Sequence, residues 1–225
     1  MNVSIIIPAY NEAGVLEQTL SRIRRLNPHE IIVIDGGSDD ATRSIAEREG
    51  AKITSSPSGR ALQMNAGAQI AGGEILLFLH ADSAVTPEGF QKMIAAMNND
   101  SVLGGAFSLR IDSPKWALRL ISKLATLRSR YFHLVYGDQA IFVRKSIFDQ
   151  MQGFATLPIC EDIEFYLRLR KQGRTILLQE TALTSARRWN QEGIFYTTAR
   201  NILIAGLFLM GFSPRILSQW YLSIR

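Results

Sequence analysis

The stretch Val3-Ser4-Ile5-Ile6-Ile7-Pro8-Ala9-Tyr10-Asn11-Glu12 decides the fold. An apolar run of this length, closed by proline and then by polar turn residues, reads as a strand buried on both faces, as in a parallel sheet. Two later runs repeat it. Ile31 to Ile34 ends at Asp35-Gly36-Gly37-Ser38, and Ile75 to Leu79 ends at His80-Ala81-Asp82. Helical spacing fills the intervals: Val15, Leu16, Leu20 and Ile23 lie in a helix from about Glu12 to Arg25. A second helix is expected around Asp40–Glu49, with Asp39 or Asp40 as N-cap. After a short strand at Lys52–Thr54, a small-residue-rich helix spans Arg60–Ala71 and closes at Gly72-Gly73. In an open α/β sheet the carboxyl ends of the strands converge on one crevice, where ligands bind. The three turns, joined by the later pair Glu161-Asp162, are therefore expected to meet around one small molecule. In particular, Asp35, Asp82 and Asp162 should share a pocket.

Beyond Asp82 the pattern loosens. Pro87 opens a helix to about Met97, Val102–Ile111 reads as a strand, and Lys115–Arg130 as a basic amphipathic helix. Gln139–Arg144 is expected as a strand, and a helix starts near Glu161. Thr175–Gln179 and Ala182–Ala186 are expected as two short strands. A βαβαβ half followed by a mixed half predicts an α/β fold: one mixed, mostly parallel twisted sheet flanked by helices, in one domain over 1–192. From Ile194 the chain is helical and apolar. Its uncharged run from Ile202 to Phe212 falls short of the roughly 20 residues that span a bilayer. Residues 193–225 therefore either pack on the core or lie on a membrane interface, the second supported by Arg200, Arg215, Trp220, Tyr221 and Arg225.

Apolar residues make up 47% of the 225, enough for a packed core and unlike a disordered chain. The single cysteine, Cys160, excludes an internal disulfide and a cysteine-clustered zinc site, and fits a reducing compartment. Met1-Asn2-Val3 runs straight into a strand with no basic leader or export cleavage pattern. The expectation is a cytoplasmic chain, associated with the cytoplasmic membrane face if its terminal helices bind lipid. The net charge of +5 comes from the second half, at Lys115 to Arg130, Arg168 to Arg174 and Arg187-Arg188. No nucleic-acid module is visible, and no row of aromatics interleaves these cations. Nucleic acid is excluded, and a phosphate-bearing small molecule is the expected partner.

The chemistry-bearing residues sit at the strand ends. Asp82 is poised to hold Mg²⁺ or Mn²⁺ against a diphosphate, since hard cations take oxygen ligands and often complete their shell with substrate phosphates. Capping of the Pro87 helix is the plainer role for Asp82, and a structural hydrogen bond the plainer role for His80. Asp35 could accept hydrogen bonds from a nucleoside where Gly36-Gly37 lets backbone approach, or could hold an Asx-turn. There is no GxGxxG after the first strand and no GxxxxGK[ST] loop, which excludes those two modes of nucleotide binding. Glu161 and Asp162 at a helix start either oppose the helix dipole or do acid–base work. Arg187 and Arg188 are solvated on a loop, or neutralise a leaving diphosphate. Gly59-Arg60 and Asn65 form another loop-to-helix junction suited to an anion.

In this order, these segments resemble the family 2 glycosyltransferases of the GT-A fold, and the resemblance covers nearly the whole chain. Pro8-Ala9-Tyr10-Asn11-Glu12 is similar to the family's PxYNE opening, and Val33-Ile34-Asp35-Gly36-Gly37-Ser38-Asp39 to its VDDGSxD segment. His80-Ala81-Asp82 takes the place of the metal-binding DxD, Glu161-Asp162 that of the ED element whose Asp is the base, and Arg188-Trp189 the end of QxxRW. Gly36 stands where the family has a second Asp, and His80 where DxD has its first. Tyr136-Gly137-Asp138-Gln139, Cys160-Glu161-Asp162 and Thr184 to Trp189 resemble a compact bacterial subgroup labelled arsenosugar-biosynthesis glycosyltransferases. The resemblance implies a nucleotide-sugar-binding half over 1–100 and an acceptor and catalytic half over 101–192. It implies that Pro8, Tyr10, Glu12, Asp35, Gly36, Arg60, Asn65, Ala81, Arg188 and Trp189 bind a UDP- or GDP-sugar. It gives the metal, Mg²⁺ or Mn²⁺, to Asp82 and the acceptor or sugar to Gly137, Asp138 and Gln139. Asp162, with Glu161 beside it, would be the catalytic base of an inverting transfer to a hydroxyl acceptor. A nucleotidyltransferase, or a sugar-nucleotide-binding protein without catalysis, are the alternative readings.

Overall fold

The computed structural model describes residues 1–221. The amino-terminal half alternates as its periodicity requires: β1 (Val3–Ala9), α1 (Ala13–Arg24), β2 (Glu30–Asp35), α2 (Thr42–Arg48), β3 (Lys52–Ser55), α3 (Arg60–Ile70) and β4 (Ile75–Phe78). β1, β2, β3 and β4 are parallel neighbours, with Ile6 opposite both Ile32 and Phe78. After them come β5 (Ser83–Val85), α4 (Pro87–Met97), β6 (Val102–Asp112), α5 (Trp116–Phe132), a 3-10 turn at Gly137–Gln139, β7 (Phe142–Arg144) and α6 (Lys145–Gln150). The chain continues through α7 (Glu161–Gln172), β8 (Arg174–Ser185), α8 (Arg187–Glu192), α9 (Ile194–Leu209) and α10 (Pro214–Trp220). Among the described residues, the eight strands form one sheet in the order β3-β2-β1-β4-β7-β6-β8-β5. Pairings of β7 with β4 and β6, and of β5 with β8, are antiparallel; the rest are parallel.

Strand residues alternate between two cores, as a period of two dictates. Ile5, Ile7, Val33, Leu77 and Phe107 face α1, α2 and α4, with Leu16, Leu20 and Met93 filling that side. Ile6, Ile32, Ile34, Leu76 and Phe78 face the other layer, where Met64, Phe148, Phe154 and Phe165 pack. There Phe154 stacks on Phe165 with centroids 4.3 Å apart and meets Phe78 edge-on at 4.9 Å. The carboxyl ends of β1, β2 and β4 thus open on one rim.

Several local expectations change. β8 is one strand rather than two, and a register shift against β6 at Phe107/Ser108 absorbs its polar middle, Gln179-Glu180. The strand expected at Gln139–Arg144 begins only at Phe142, because Gly137–Gln139 coil into the 3-10 turn. Ala41, not Asp39 or Asp40, is the N-cap of α2; Asp40 accepts instead from the amides of Thr42 and Ala13. Arg187 to Trp189 start a helix rather than a loop. α9 and α10 pack beside the start of α7, through Ile204, Ala205 and Leu217 against Cys160 and Ile163. Arg225, counted among the flanking cations of this segment, lies outside the described residues.

Candidate active site

A cavity of about 670 Å³ opens on the rim. Its size suits a nucleotide-sugar-sized ligand. The β1 end supplies Pro8, Tyr10 and Glu12, the α3 start Arg60 and Gln63, and the turn after β4 His80, Ala81 and Asp82. Gly137 and Asp138 come from the 3-10 turn, Glu161 and Asp162 from the start of α7, and Arg187, Arg188 and Trp189 from α8. Asp82 and Asp162 therefore share one cavity.

Asp162 is held by backbone. Its Oδ2 accepts from the Gly137 amide at 2.5 Å and its Oδ1 from the Ile163 amide at 2.7 Å. Each oxygen keeps a further lone pair. Cys160, the N-cap of α7, adopts a left-handed conformation, φ 63°, that swings the first turn toward the cavity. Its thiol is pushed up to about 12 by burial and by Asp162 and Glu161, so it is no nucleophile at neutral pH. Beside it, burial raises the Asp138 carboxyl to about 6; Arg128 pulls it down, while Asp162 and Asp82 push it further up. Its Oδ1 is buried with no hydrogen-bond partner among the described residues.

Cations face these acids. Arg187 pairs with Glu12 at 2.9 Å and approaches Asp82 Oδ2 at 3.9 Å. Arg188 stacks over the Tyr221 ring, 4.8 Å from its centroid. Burial lowers the Arg188 guanidinium to about 10, and Arg60 and Arg200 lower it further, because like charges crowd this wall. It stays cationic at neutral pH. Clustered guanidiniums on a cavity wall create a demand for an anion.

A divalent cation fits this donor set only as a shared ion. No group of three or more His, Cys, Asp or Glu side chains among the described residues is arranged to hold one. Asp82, on the cavity wall with its side chain 21% exposed, could contribute one carboxylate and leave the rest of the shell to a bound diphosphate.

Four of the expected binding residues stand off the wall. Asp35 is buried in its own turn, accepting from the amides of Gly37 and Ser38 and pairing with Arg43 at 3.3 Å. Gly36 is pressed against the Gln63 amide, which donates to the carbonyls of Ala9 and Ile34; a Cβ at Gly36 would stand 3.0 Å from Gln63 Nε2. Asn65 spends both ends of its amide on the Phe154 backbone. Gln139 is fully buried, accepting from Arg128 and Ser129 and donating to the Phe107 carbonyl. Sequence reading missed Gln63, and it missed the wall that α9 and α10 supply through Asn201, Ile204, Ala205 and Ser218. Apolar spacing marked those helices for packing, and no motif tied them to the strand ends.

A sequence profile described as Glycosyl transferase family 2 matches residues 4–155, more than half of the chain. The chain belongs to glycosyl transferase family 2. It is 32% identical over 165 residues to the undecaprenyl-phosphate 4-deoxy-4-formamido-L-arabinose transferase of Aeromonas hydrophila, covering 66% of this chain and 51% of that protein. Its fold is similar to that of the Pyrobaculum calidifontis mannosyltransferase PcManGT, solved with GDP-Man and Mn²⁺. That match has a TM-score of 0.68 at 17% identity and covers 95% of this chain and 66% of that one. Residues 1–349 of S. aureus TarS with UDP-GlcNAc match with a TM-score of 0.63 at 18% identity, over 82% of this chain and 58% of that one. The fold is GT-A. The chain spans about half the length of the curated relatives it matches. No helix among the described residues is long and apolar enough to cross a membrane.

Proposed function

We propose that the protein is an inverting glycosyltransferase that moves a sugar from a nucleoside-diphosphate sugar to an acceptor hydroxyl, with a divalent cation held at Asp82. The observation that carries this reading is the shared cavity: the carboxylates of Asp82 and Asp162 and the guanidiniums of Arg60, Arg187 and Arg188 face one volume. The donor would lie along Pro8, Tyr10, Glu12 and Arg60, its diphosphate toward Asp82 and Arg188. Mg²⁺ or Mn²⁺, when bound, would supply charge neutralisation to the diphosphate oxygens. Relatives solved with GDP-Man and with UDP-GlcNAc support a nucleotide sugar as donor.

Asp162 takes the acceptor hydroxyl proton as the acceptor oxygen bonds to the anomeric carbon. The bond from that carbon to the diphosphate oxygen breaks, and its electron pair leaves with the nucleoside diphosphate. Arg60 and Arg188 meet the charge that grows on the leaving group. Attack opposite the leaving group inverts the anomeric centre with no covalent enzyme intermediate. The protonated Cys160 thiol agrees with that. Gly137 and Asp138 flank the sugar, and Trp189, fixed by its hydrogen bond to Thr198, closes the far wall.

A product assay tests the proposal. Incubation with nucleotide sugars, Mn²⁺ and a panel of hydroxyl-bearing acceptors is expected to release nucleoside diphosphate as the sugar passes to an acceptor. Release of pyrophosphate from a nucleoside triphosphate and a sugar phosphate would make the protein a nucleotidyltransferase instead.

A further inference from the structure

Large exposed apolar side chains are concentrated on one part of the molecule. Among the described residues, every one except Met1 and Ile70 lies within 116–132 or 195–220. On α5, Trp116, Leu120, Leu124, Leu127 and Tyr131 follow helical spacing and form one stripe, each between 44% and 76% exposed. Arg119, Lys123 and Arg130 are exposed in a row beside it, and no acidic residue occurs from Ser113 to Gly137. On α9, Phe195, Ile202 and Leu209 form a second exposed stripe, continued on α10 by Ile216 and Trp220 beside the exposed Arg215. No acidic residue occurs from Gly193 to Tyr221. The helices are neighbours: Ile194 at the start of α9 packs in the cluster that buries Leu118 of α5.

We propose that this face of α5, α9 and α10 docks the protein on an anionic lipid bilayer, its apolar stripes entering the headgroup boundary and its cations meeting lipid phosphates. Charge complementarity selects this occupant. Amphipathic helices with aromatic and aliphatic residues on one side and Lys/Arg alongside lie in the membrane interface. The neighbouring cations would gain from the negative surface potential of anionic lipid. A second copy of the chain is disfavoured, because an isologous contact sets one patch against itself and here brings cations against cations. The helices lie on the bilayer rather than across it, none being long and apolar enough to span. The same α9 and α10 wall the cavity with Asn201, Ile204 and Ser218. If the glycosyltransfer reading holds, docking brings that wall beside the lipid, where a membrane-borne acceptor could reach Asp162; the docking itself does not depend on it.

Co-sedimentation of the full chain with vesicles tests the proposal. Phosphatidylcholine vesicles containing phosphatidylglycerol are expected to carry the protein down, and pure phosphatidylcholine vesicles much less. The pair Arg119→Gln and Lys123→Gln should weaken partitioning about fivefold per cation, the ratio that about 1 kcal/mol per surface cation implies. The pair Leu124→Gln and Ile202→Gln should abolish co-sedimentation while circular dichroism and the thermal shift given by nucleoside diphosphate stay as in the parent. Trp116→Ser, at a site 76% exposed, is the second variant should that pair unfold, and it should weaken binding too. Three results would overturn the proposal: a parent that ignores anionic vesicles, folded apolar variants that bind them as before, or a dimer in solution that these variants dissociate.

Discussion

The amide of Gly137 donates to Oδ2 of Asp162 at 2.5 Å, tying the 3-10 turn before β7 to the first turn of α7. Two stretches distant in sequence thereby fix one carboxylate at the cavity. The contact also brings the Gly137 backbone close to His80, at the end of β4. A carboxylate held by backbone amides depends on the position of the main chain rather than on the rotamer of a neighbouring side chain.

Gly137→Ala should therefore injure turnover more than folding. The new Cβ would stand 2.8 Å from His80 Nε2 and 3.3 Å from Asp162 Oδ2, so the His80 ring must shift and the Asp162 carboxylate give way beside it. A displacement on the order of 1 Å at a reacting group can cost about 100-fold in rate. Steady-state kinetics should show kcat falling, with that factor as the upper bound, and donor KM nearly unchanged. An unaltered kcat would show that the Gly137 contact does not set the position of the reacting carboxylate.

Asp138 should make the metal-free protein less stable as pH rises. Its folded carboxyl titrates at about 6 against an ordinary 3.8, so the folded state holds the extra proton between those values and stability falls across that window. Asp138→Asn should stabilise the fold above pH 6 by a few kcal/mol, at roughly 1.4 kcal/mol per pH unit. The gain should vanish below about pH 4. Melting curves across pH with a chelator present check it, and a gain independent of pH would contradict it.

The first half of the fold was legible because β1, β2 and β4 are buried on both faces and leave unbroken apolar runs. β5 has three residues and α6 six, too few to show a period. The two halves of β8 look separate because Glu180 interrupts the pattern where the strand shifts register. At the site, residues on rim turns were readable from their neighbours. Asp35 was misplaced because a carboxylate before Gly-Gly can face a ligand or close its own turn, and only packing decides. Asn65 and Gln139 carry side chains that serve distant backbone, Phe154 and Phe107, which no local pattern records.

Glu30 should act in the opposite sense to Asp138. Burial pushes its carboxyl up, but hydrogen bonds from Lys52, Ser4 and the Gly72 amide outweigh that and hold it down at about 2. A depressed carboxyl gives stability that is present above its unfolded value of 4.5 and lost as pH falls through about 2. Glu30→Gln should cost about 2 kcal/mol at neutral pH, the scale of a charged hydrogen-bond set. The difference should shrink on acidification. Urea titrations at neutral and acid pH check both statements.

Metal and nucleotide should bind together. With one carboxylate at Asp82 and no wider acidic cage among the described residues, Mn²⁺ alone should shift the melting temperature little. Nucleoside diphosphate with Mn²⁺ should shift it strongly, as ligands selective for the folded state do. Asp82→Asn should remove the metal-dependent part. An equal shift from Mn²⁺ alone, or one untouched by Asp82→Asn, would contradict the shared-ion arrangement.

The most direct test separates binding from transfer in Asp162→Asn, with nucleoside-diphosphate affinity measured calorimetrically beside glycosyl transfer. Donor affinity should stay close to the parent's while transfer falls by about 10² to 10⁴, the range of a lost general base. Transfer near the parent's rate, or donor affinity lost along with it, would contradict the assignment of Asp162 as the base that faces the acceptor.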